Sequence, residues 1–348
     1  MLKRSKSTLR QIAKEAGVSI DTVSRVLNGR NKELWPGTMQ RAATIRAIAQ
    51  KLKYRPNSSA RAIRTGRSNA MALLQSSVAQ NSYLPWPLLN GIYDAMERHD
   101  LHLMLSRMPD EKLVNPAIIP EILRYTMSDG LLVNYHSRMP AQLVELIGQY
   151  QIPAIFINVK ADADCVYSDD HLAGKIACQE LIKRGHRQIS YIDYHNNHSD
   201  PETHYSAFDR YRGYVDAMRE AGLVAELRGG QFMTPEQRIA ECTRLLKLEE
   251  RPTAILAYSE DSASFLTYAA SMLGVRMPQD LSIATFSNQP AIVCGIKLTT
   301  LVSPWQQIGE LSVELLKSKI KDPAVALASK AVPFVLYEGT SVVHPVLV

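Results

Sequence analysis

The residues whose types and spacing could perform chemistry lie near the start of the chain, on one short predicted helix. Apolar spacing would bury Val23, Val26 and Leu27 on one side of that helix. The side chains left on the outside are Ile20, Asp21, Thr22, Ser24 and Arg25. A helix with such an outer face can enter the major groove of DNA when another helix and a tight turn precede it.

The sequence predicts those preceding elements. Thr8 and Gln11 have the spacing of a capping box, which satisfies free backbone donors at a helix start. Gly17 can supply the backbone conformation of a sharp turn, and Ser19 can cap the next helix. Residues 38–52 repeat apolar side chains at helical spacing and predict a third helix. The pattern is that of a helix-turn-helix head, although short helical hairpins also occur in proteins that do not bind DNA.

The charge distribution favours the DNA-binding interpretation. Residues 1–68 contain sixteen Lys and Arg but only three acidic residues, so their net charge is +13. The whole chain carries +6, which leaves −7 for residues 69–348. A basic head on an acidic body is expected of a nucleic-acid reader, because cationic side chains release counterions from phosphates.

Composition and cysteine content argue against a disulfide-bonded, metal-binding or membrane protein. The chain has 348 residues, more than one typical domain, and four cysteines without ligand-like spacing. We therefore expect reduced thiols, no disulfide, no metal site and no cofactor. No apolar run approaches the roughly 18 residues of a membrane span, and the basic first residues precede no apolar segment of a signal peptide. The expected location is the cytoplasm.

Motifs of common enzymes are missing from the sequence. It contains no G-x-G-x-x-G, no G-x-x-x-x-G-K-[ST] and no G-x-S-x-G. Residues 195–198 together with His204 resemble a metal cluster, but their polar setting favours a solvated surface loop. Asp169, Asp170 and His171 lie where a strand feeds a helix, so helix capping is the simpler role for the carboxylates. We expect no enzymatic activity.

From about residue 69, apolar runs alternate with amphipathic helices in two similar sets. Strands that alternate with helices imply parallel sheets with right-handed crossovers. Two sets imply two doubly wound subdomains whose strand ends face a shared cleft. The predicted fold is therefore a small all-α helix-turn-helix head followed by an α/β core of two doubly wound parallel-sheet subdomains.

Several stretches resemble landmarks of one family, in the family's order. They are TLRQIAKEAGVSIDTVSRVLNG, YRPNSSARAIRTGRS, RGHRQISYI, RYRGYVDAM, PTAILAY, MLGVRMPQDLSIATF and LTTLVSPWQQIG. The chain resembles the LacI/GalR family of bacterial transcriptional regulators. The resemblance implies a core like that of periplasmic sugar-binding proteins. It also implies a DNA-binding domain over residues 1–68, which includes a hinge helix at about 56–64, and an effector-binding and dimerisation core over 69–348.

The same resemblance divides the core into two subdomains. The N-subdomain would comprise about 69–168 and 303–332, and the C-subdomain about 169–302 and 333–348. The chain would cross between them near residues 168–170, 300–303 and 331–334.

The resemblance also assigns roles in the head. Ile20, Asp21 and Arg25 match positions that face base edges, where they could contact a thymine methyl, a cytosine amino group and a guanine. Asp21 has an alternative role, because an acid in the first turn also stabilises the helix dipole. The residues expected to hold phosphates are Thr8, Ser19, Thr22, Asn28, Tyr54 and Asn57. Ile63, with Ala60 beside it, matches an apolar wedge in the minor groove, or it merely packs the hinge.

The cleft would bind the effector. The residues that match cleft-facing positions are Asn134, Asn158, Arg210, Phe232, Ser259, Ser287 and Trp305. Trp305 could equally be a core residue near a hinge. Two departures from the family stand out: Ser259-Glu260 replaces Asn-Asp, and Ser287-Asn288 replaces an Asp pair. Since Ser287 lacks the carboxylate that usually grips sugar hydroxyls, the effector could differ from a common hexose.

These features predict a transcriptional regulator that acts as a repressor of a catabolic operon. It would bind a palindromic operator as a homodimer, and a sugar-like polar effector would control it. Because no leucine-heptad tail follows residues 332–348, we expect a dimer rather than a tetramer. Two alternatives stay open: a small-molecule-binding protein without regulatory DNA binding, and a sugar- or nucleotide-modifying enzyme. The sequence does not give the sign of the effector's action.

Overall fold

The computed structural model describes residues 8–27, 35–55, 62, 66–113, 120–124 and 127–345. Asn28, Asn57, Ala60 and Ile63 lie outside these residues, as does nearly all of the predicted hinge helix. Contacts between residues divide the chain into two units, 1–68 and 69–348. In the described part of the chain, no helix is long and apolar enough to cross a membrane.

Three helices form the described head: α1 (Leu9–Ala16), α2 (Ile20–Leu27) and α3 (Pro36–Lys51). The predicted local signals are confirmed. Thr8 and Gln11 form a capping box, Gly17 ends α1 with φ 63°, and Ser19 Oγ accepts a hydrogen bond from the Thr22 backbone N–H. Helix α3 begins two residues earlier than predicted, because Pro36 suits the first helical position.

The head buries one small apolar core. Ile12 of α1, Val23 of α2 and Ile45 of α3 are fully buried in it. One prediction was wrong: Ser24 is 4% exposed rather than outward-facing. It lies beside Val23, and the buried stripe of α2 is wider than the apolar spacing indicated because it includes this small polar side chain.

The described residues of the core contain two six-stranded sheets. The first has the order β13-β5-β4-β3-β1-β2, and all its pairs are parallel. Its strands are β1 (Ala70–Ser76), β2 (His102–Met108), β3 (Gly130–Asn134), β4 (Ala154–Ile157), β5 (Cys165–Ser168) and β13 (Lys330–Val332). Its helices are α4 (Trp86–Arg98), α5 (Glu121–Arg124), α6 (Ala141–Gln149) and α11 (Trp305–Lys321).

The second sheet has the order β14-β12-β9-β8-β6-β7, and only β14 pairs antiparallel. Its strands are β6 (Ile189–Asp193), β7 (Glu226–Gly229), β8 (Ala254–Ala257), β9 (Ser282–Ser287), β12 (Thr299–Val302) and β14 (Val335–Tyr337). A separate hairpin joins β10 (Ile292–Val293) and β11 (Ile296–Lys297). The helices are α7 (Asp170–Lys183), α8 (Tyr205–Glu220), α9 (Pro235–Leu246) and α10 (Glu260–Met272).

Each sheet with its helices forms one lobe of the core, and both faces of each sheet are covered. Leu73 and Leu74 of β1 belong to clusters on opposite faces, as do Tyr191 and Ile192 of β6. This explains the continuous apolar runs in the sequence, since a strand buried on both faces loses the alternation of polar and apolar residues.

The order of the strands indicates where a ligand site is expected in each lobe. The winding direction reverses between β1 and β3 in the first lobe and between β6 and β8 in the second. Ligands of such sheets bind outside the carboxyl ends of the strands at this reversal. His136 follows β3, His195 follows β6, and Ser259 follows β8. The chain passes between the lobes after β5, after β12 and between β13 and β14.

Candidate DNA-reading helix and ligand cleft

The start of α2 offers donors to an anion. Ser19 Oγ lies 2.9 Å from Thr22 Oγ1 and 3.1 Å from the Thr22 backbone nitrogen. The positive end of the helix dipole and its free N–H groups favour negative charge at this point. The local hydrogen bonds of the turn therefore fix two hydroxyls where a phosphate oxygen would be stabilised.

The outward face of α2 carries the predicted base-reading residues. Ile20 is exposed, and Arg25 Nε lies 3.2 Å from Asp21 Oδ2, one helical turn away. This ion pair was not predicted from the sequence, although the i,i+4 spacing allows it. The two side chains are 56% and 73% exposed, so water screens the pair and little free energy holds it. Both groups can exchange this contact for another partner at low cost.

Helix α3 adds two residues that sequence analysis missed. Arg41 and Thr44 line a concavity of about 480 Å³ together with Ser19 and Thr22. A guanidinium, three hydroxyls and a helix N-terminus are the groups that proteins use for DNA phosphates. The sequence pattern could have indicated these two residues, because Arg41 and Thr44 are three residues apart, on one face of α3 and outside its apolar stripe.

Two other predicted phosphate ligands make contacts within the head. Thr8 is exposed, and its hydroxyl accepts from the Gln11 backbone nitrogen at 3.4 Å. Tyr54 is half-buried and packs against the apolar core of the head.

A cleft of about 420 Å³ lies between the two lobes of the core. Five of the seven predicted effector residues line it: Asn158, Arg210, Ser259, Ser287 and Trp305. Residues after β3, β6 and β8 line it too, as expected at a reversal of strand order.

The structure does not bring the other two predicted residues to the cleft lining. Asn134 is 0% exposed, and its Nδ2 donates to the Tyr83 carbonyl at 2.9 Å, so its amide holds backbone in the first lobe. Phe232 is 65% exposed and follows β7 at the edge of its sheet, where its ring contacts the Arg238 guanidinium. Their sequence positions match the family, but strand-end geometry directs both side chains elsewhere.

Arg210 is the most strongly held side chain of the cleft. Its Nε donates to Asp170 Oδ1 at 2.7 Å and its Nη1 to the Tyr258 carbonyl at 2.9 Å. The guanidinium carbon lies 4.6 Å from the centre of the Phe286 ring. Burial raises the pKa of Asp170, and the adjacent Arg210 opposes that rise. The ion pair and the aromatic rings therefore fix the guanidinium in one orientation while leaving N–H donors for a ligand.

The predicted capping role was right for one of the two aspartates. Asp169 is the N-cap of α7, and its Oδ1 accepts from the Leu172 backbone nitrogen at 3.0 Å. Asp170 pairs with Arg210 instead. These two neighbouring aspartates have separate roles because, at the start of α7, the Asp169 side chain turns back to the backbone of its own helix and the Asp170 side chain turns to Arg210 of α8.

The histidine-rich segment was predicted to be a solvated surface loop, and this was wrong for two residues. The side chain of His198 is 14% exposed, with Nε2 2.9 Å from Asp193 Oδ2, and His204 is largely buried and lines the cleft. His195 is exposed as predicted, although it also lines the cleft. Burial, with a smaller effect from His136, lowers the pKa of His204 to about 3. A neutral ring fits its contacts, since Nε2 donates to the Asn158 carbonyl at 3.1 Å. Among the described residues, no group of three His, Cys, Asp or Glu side chains could hold a metal ion.

Trp305 has both of the roles considered for it. It is 6% exposed and belongs to the core of the first lobe, yet it also lines the cleft. Its Nε1 donates to Asn288 Oδ1 at 2.6 Å, and Asn288 Nδ2 donates to Tyr83 Oη at 2.5 Å. No sequence pattern indicated Tyr83, which this chain of hydrogen bonds links to the opposite lobe.

Comparisons with known proteins agree with this architecture. The model of bacterial regulatory proteins of the lacI family matches residues 8–57, and the model of the periplasmic binding protein-like domain matches residues 178–342. The HTH-type transcriptional repressor PurR of Edwardsiella ictaluri is 28% identical over 323 residues, which are 90% of each chain. Catabolite control protein A of Priestia megaterium is 26% identical over 316 residues, covering 89% of this chain and 91% of that protein.

Solved structures show the same fold. A lac repressor dimer bound to operator and the anti-inducer ONPF matches with a TM-score of 0.73 at 20% identity, covering 97% of this chain and all of that one. A transcriptional regulator CelR in complex with cellobiose matches with a TM-score of 0.62 at 20% identity and the same coverage. The fold and the family predicted from the sequence are both confirmed. With a lacI-family head followed by a periplasmic binding protein-like core, the chain belongs to the lacI family of bacterial regulatory proteins and is a DNA-binding transcriptional regulator.

Proposed function

We propose that this protein is a transcriptional repressor that binds a roughly palindromic operator as a homodimer and responds to a small, sugar-like effector. The observation that carries the proposal is the combination, in one chain, of a helix-turn-helix head of net charge +13 and a polar cleft between two lobes. The names of its relatives support the repressor role, since PurR is a transcriptional repressor. We propose a catabolic operon as the target and binding without catalysis as the activity.

In this proposal, Arg25 reads a guanine through two hydrogen bonds, and Ile20 contacts a thymine methyl. Asp21 accepts from a cytosine or stabilises α2. The weak Asp21–Arg25 pair supports this, because an exposed ion pair releases its guanidinium to a base edge at little cost. Ser19 and Thr22 hold a phosphate and set the register of α2 on the duplex.

The remaining DNA contacts are proposed from the resemblance. Thr8 and Tyr54 would hold phosphates, as would Asn28 and Asn57, which lie outside the described residues. Ala60 and Ile63, also outside them, would form the minor-groove wedge. Two such wedges need two chains, and a two-fold dimer requires a palindromic site.

The effector would act through the contacts that join the lobes. Tyr205 Oη of the second lobe donates to Asn158 Oδ1 of the first at 3.0 Å, and Lys160 Nζ lies 2.5 Å from Asp209 Oδ2 across the same gap. These contacts hold the lobes in one arrangement. A ligand between the lobes changes DNA affinity only by its different affinities for the lobe arrangements.

The effector contacts proposed here are those of the five cleft-lining residues predicted from the sequence. Arg210 and Asn158 would bond ligand oxygens, Ser259 and Ser287 would add hydroxyls, and Trp305 would pack against a ring. A known structure of the fold is a complex with cellobiose, which supports a sugar-like ligand.

The test begins with selection of a preferred duplex from random DNA, followed by affinity measurements at fixed salt. Arg25→Ala should weaken binding to the selected site by roughly 10- to 100-fold and relax the preference at one guanine. Arg219→Ala, at a 72% exposed side chain on α8 of the core, is the matched control and should change affinity little. Selection that yields no preferred sequence would contradict the proposal, as would an Arg25→Ala protein that keeps both affinity and preference.

A further inference from the structure

One carboxylate of the cleft has no cationic partner among the described residues. Glu260 is the first residue of α10 and lines the cleft beside Ser259. Its Oε2 accepts a hydrogen bond from Ser287 Oγ at 2.6 Å. A carboxylate has about four acceptor positions, so this one keeps acceptors for a ligand after the serine is bound.

The other fixed charges of the cleft compensate one another. Asp170 pairs with Arg210 at 2.7 Å, and Asp261 pairs with Arg238 at 2.5 Å. With Asp170 ionised, Glu260 leaves the cleft with one negative charge, and with Asp170 protonated the total is zero. In neither state is the cleft positive.

The histidines of the cleft do not reverse this balance. Burial lowers the pKa of both His136 and His204, so these rings are neutral at neutral pH. His195 presents Nδ1 to Arg238 Nη2 at 3.4 Å, and a ring nitrogen that faces an arginine donor acts as an acceptor. A phosphate or carboxylate ligand would therefore enter the cleft without a cation free to neutralise it.

We infer that Glu260 is the ligand's anchor in this cleft and that the effector is an uncharged polyhydroxylated or an amine-bearing compound rather than a phosphorylated or carboxylated one. The inference rests on the proposed function and specifies the chemical class of its effector. Glu260 accepts hydrogen bonds from ligand hydroxyl or ammonium groups, and Ser287 positions the carboxylate.

The strand order explains how this anchor arises. Ser287 lacks a carboxylate, which taken alone argues against a common hexose. Strands β8 and β9 pair in parallel, so the residue that starts α10 after β8 reaches the end of β9. Glu260 supplies at this point the carboxylate that Ser287 lacks. The absence of an acid at position 287 therefore does not exclude a sugar.

Matched probes test the charge preference on the full-length protein. The sets are D-glucose, D-glucosamine and D-glucose 6-phosphate; D-ribose and D-ribose 5-phosphate; and adenosine and adenosine monophosphate. Thermal shift ranks the probes, and calorimetry gives Kd for those that bind. We expect the tightest probe to be uncharged or aminated and to bind at least roughly ten-fold more tightly than its phosphorylated counterpart.

Variants test the anchor itself. Glu260→Gln should raise the Kd of the tightest probe by roughly 10- to 100-fold, since it replaces a charged acceptor by a neutral one. Glu249→Gln, at an exposed residue outside the cleft lining, is the matched control and should leave Kd unchanged. The double variant Glu260→Ser, Ser287→Glu returns a carboxylate from the neighbouring strand and should bind more tightly than Glu260→Ser alone. This rescue separates loss of the anchor from loss of folding.

The outcomes distinguish this inference from the proposed function. The inference is overturned if a phosphorylated probe binds more tightly than its uncharged counterpart, or if Glu260→Gln leaves probe binding unchanged. In either case, a bound probe that changes operator affinity would still support the proposed function. No binding by any probe overturns the inference and the sugar-like effector together. Operator selectivity, measured separately, decides the DNA-binding part.

Discussion

Gly174 on α7 allows the close approach of α8, the helix that carries Arg210. A Cβ atom at position 174 would lie 2.1 Å from the Arg210 carbonyl oxygen and 2.8 Å from its carbonyl carbon. Contact is reciprocal, since a Cβ at Gly213 of α8 would lie 2.0 Å from the His171 carbonyl oxygen of α7. Gly174→Ala therefore tests whether the backbones of these two helices are in direct contact.

The magnitude follows from the distances. Non-bonded heavy atoms prefer separations of about 3.5 Å, so the alanine methyl would force the helices apart by more than about 1 Å. The obstructing atoms are backbone and cannot rotate away, so the overpacking cost should reach the upper end of about 1–3 kcal/mol. Alanine recovers about 1 kcal/mol of helix propensity. We expect a net loss of about 2 kcal/mol in the free energy of unfolding.

Urea denaturation followed by circular dichroism measures this loss. Gly148→Ala on α6 is the matched control, because a Cβ there meets nothing within 4 Å and the residue is exposed. That variant should be stabilised by about 0.5–1 kcal/mol through helix propensity alone. If Gly174→Ala were neutral or stabilised like the control, the described backbone contact between α7 and α8 would be wrong.

Two further predictions concern buried charge near the cleft. Arg210→Met leaves Asp170 buried without its partner and should lower the free energy of unfolding by about 3–5 kcal/mol. Adding Asp170→Asn should recover most of this loss. If urea denaturation showed that Arg210→Met lowers the free energy of unfolding by less than about 1 kcal/mol, the importance of the pair would be contradicted. Burial lowers the pKa of His204 from its ordinary value of 6.5 to about 3 in the folded protein. Because only the unfolded chain then takes up this proton, stability is lost as pH falls below about 6.5, by up to about 2 kcal/mol at pH 5. His204→Gln should lose less stability than the parent protein between pH 7 and pH 5, and equal losses in the two proteins would refute this.

The helix-turn-helix was predictable because its signals are local. The capping box of Thr8, the turn at Gly17 and the cap at Ser19 each depend on residues within four positions of one another. The alternation of strands and helices similarly predicted two parallel sheets, since strands buried on both faces read as apolar runs. Short or polar edge strands gave weaker signals, and sequence analysis did not predict β7, which begins with Glu226.

The composition of the cleft depended on which distant segments the fold makes neighbours. Arg210 and Asp170 are forty residues apart in sequence, and Ser287 and Glu260 are twenty-seven apart. No local pattern encodes these pairs, because the packing of helices brings Arg210 to Asp170 and the order of strands in the sheet brings Ser287 to Glu260. Family position alone placed Asn134 and Phe232 in the cleft, yet strand-end geometry puts one in the core and the other in solvent. The sequence by itself determined the helices, the two-sheet fold and the basic head, through local hydrogen bonding, burial periodicity and net charge. Only the tertiary structure decided which carboxylate lines the cleft without a cationic partner among the described residues and which is already paired.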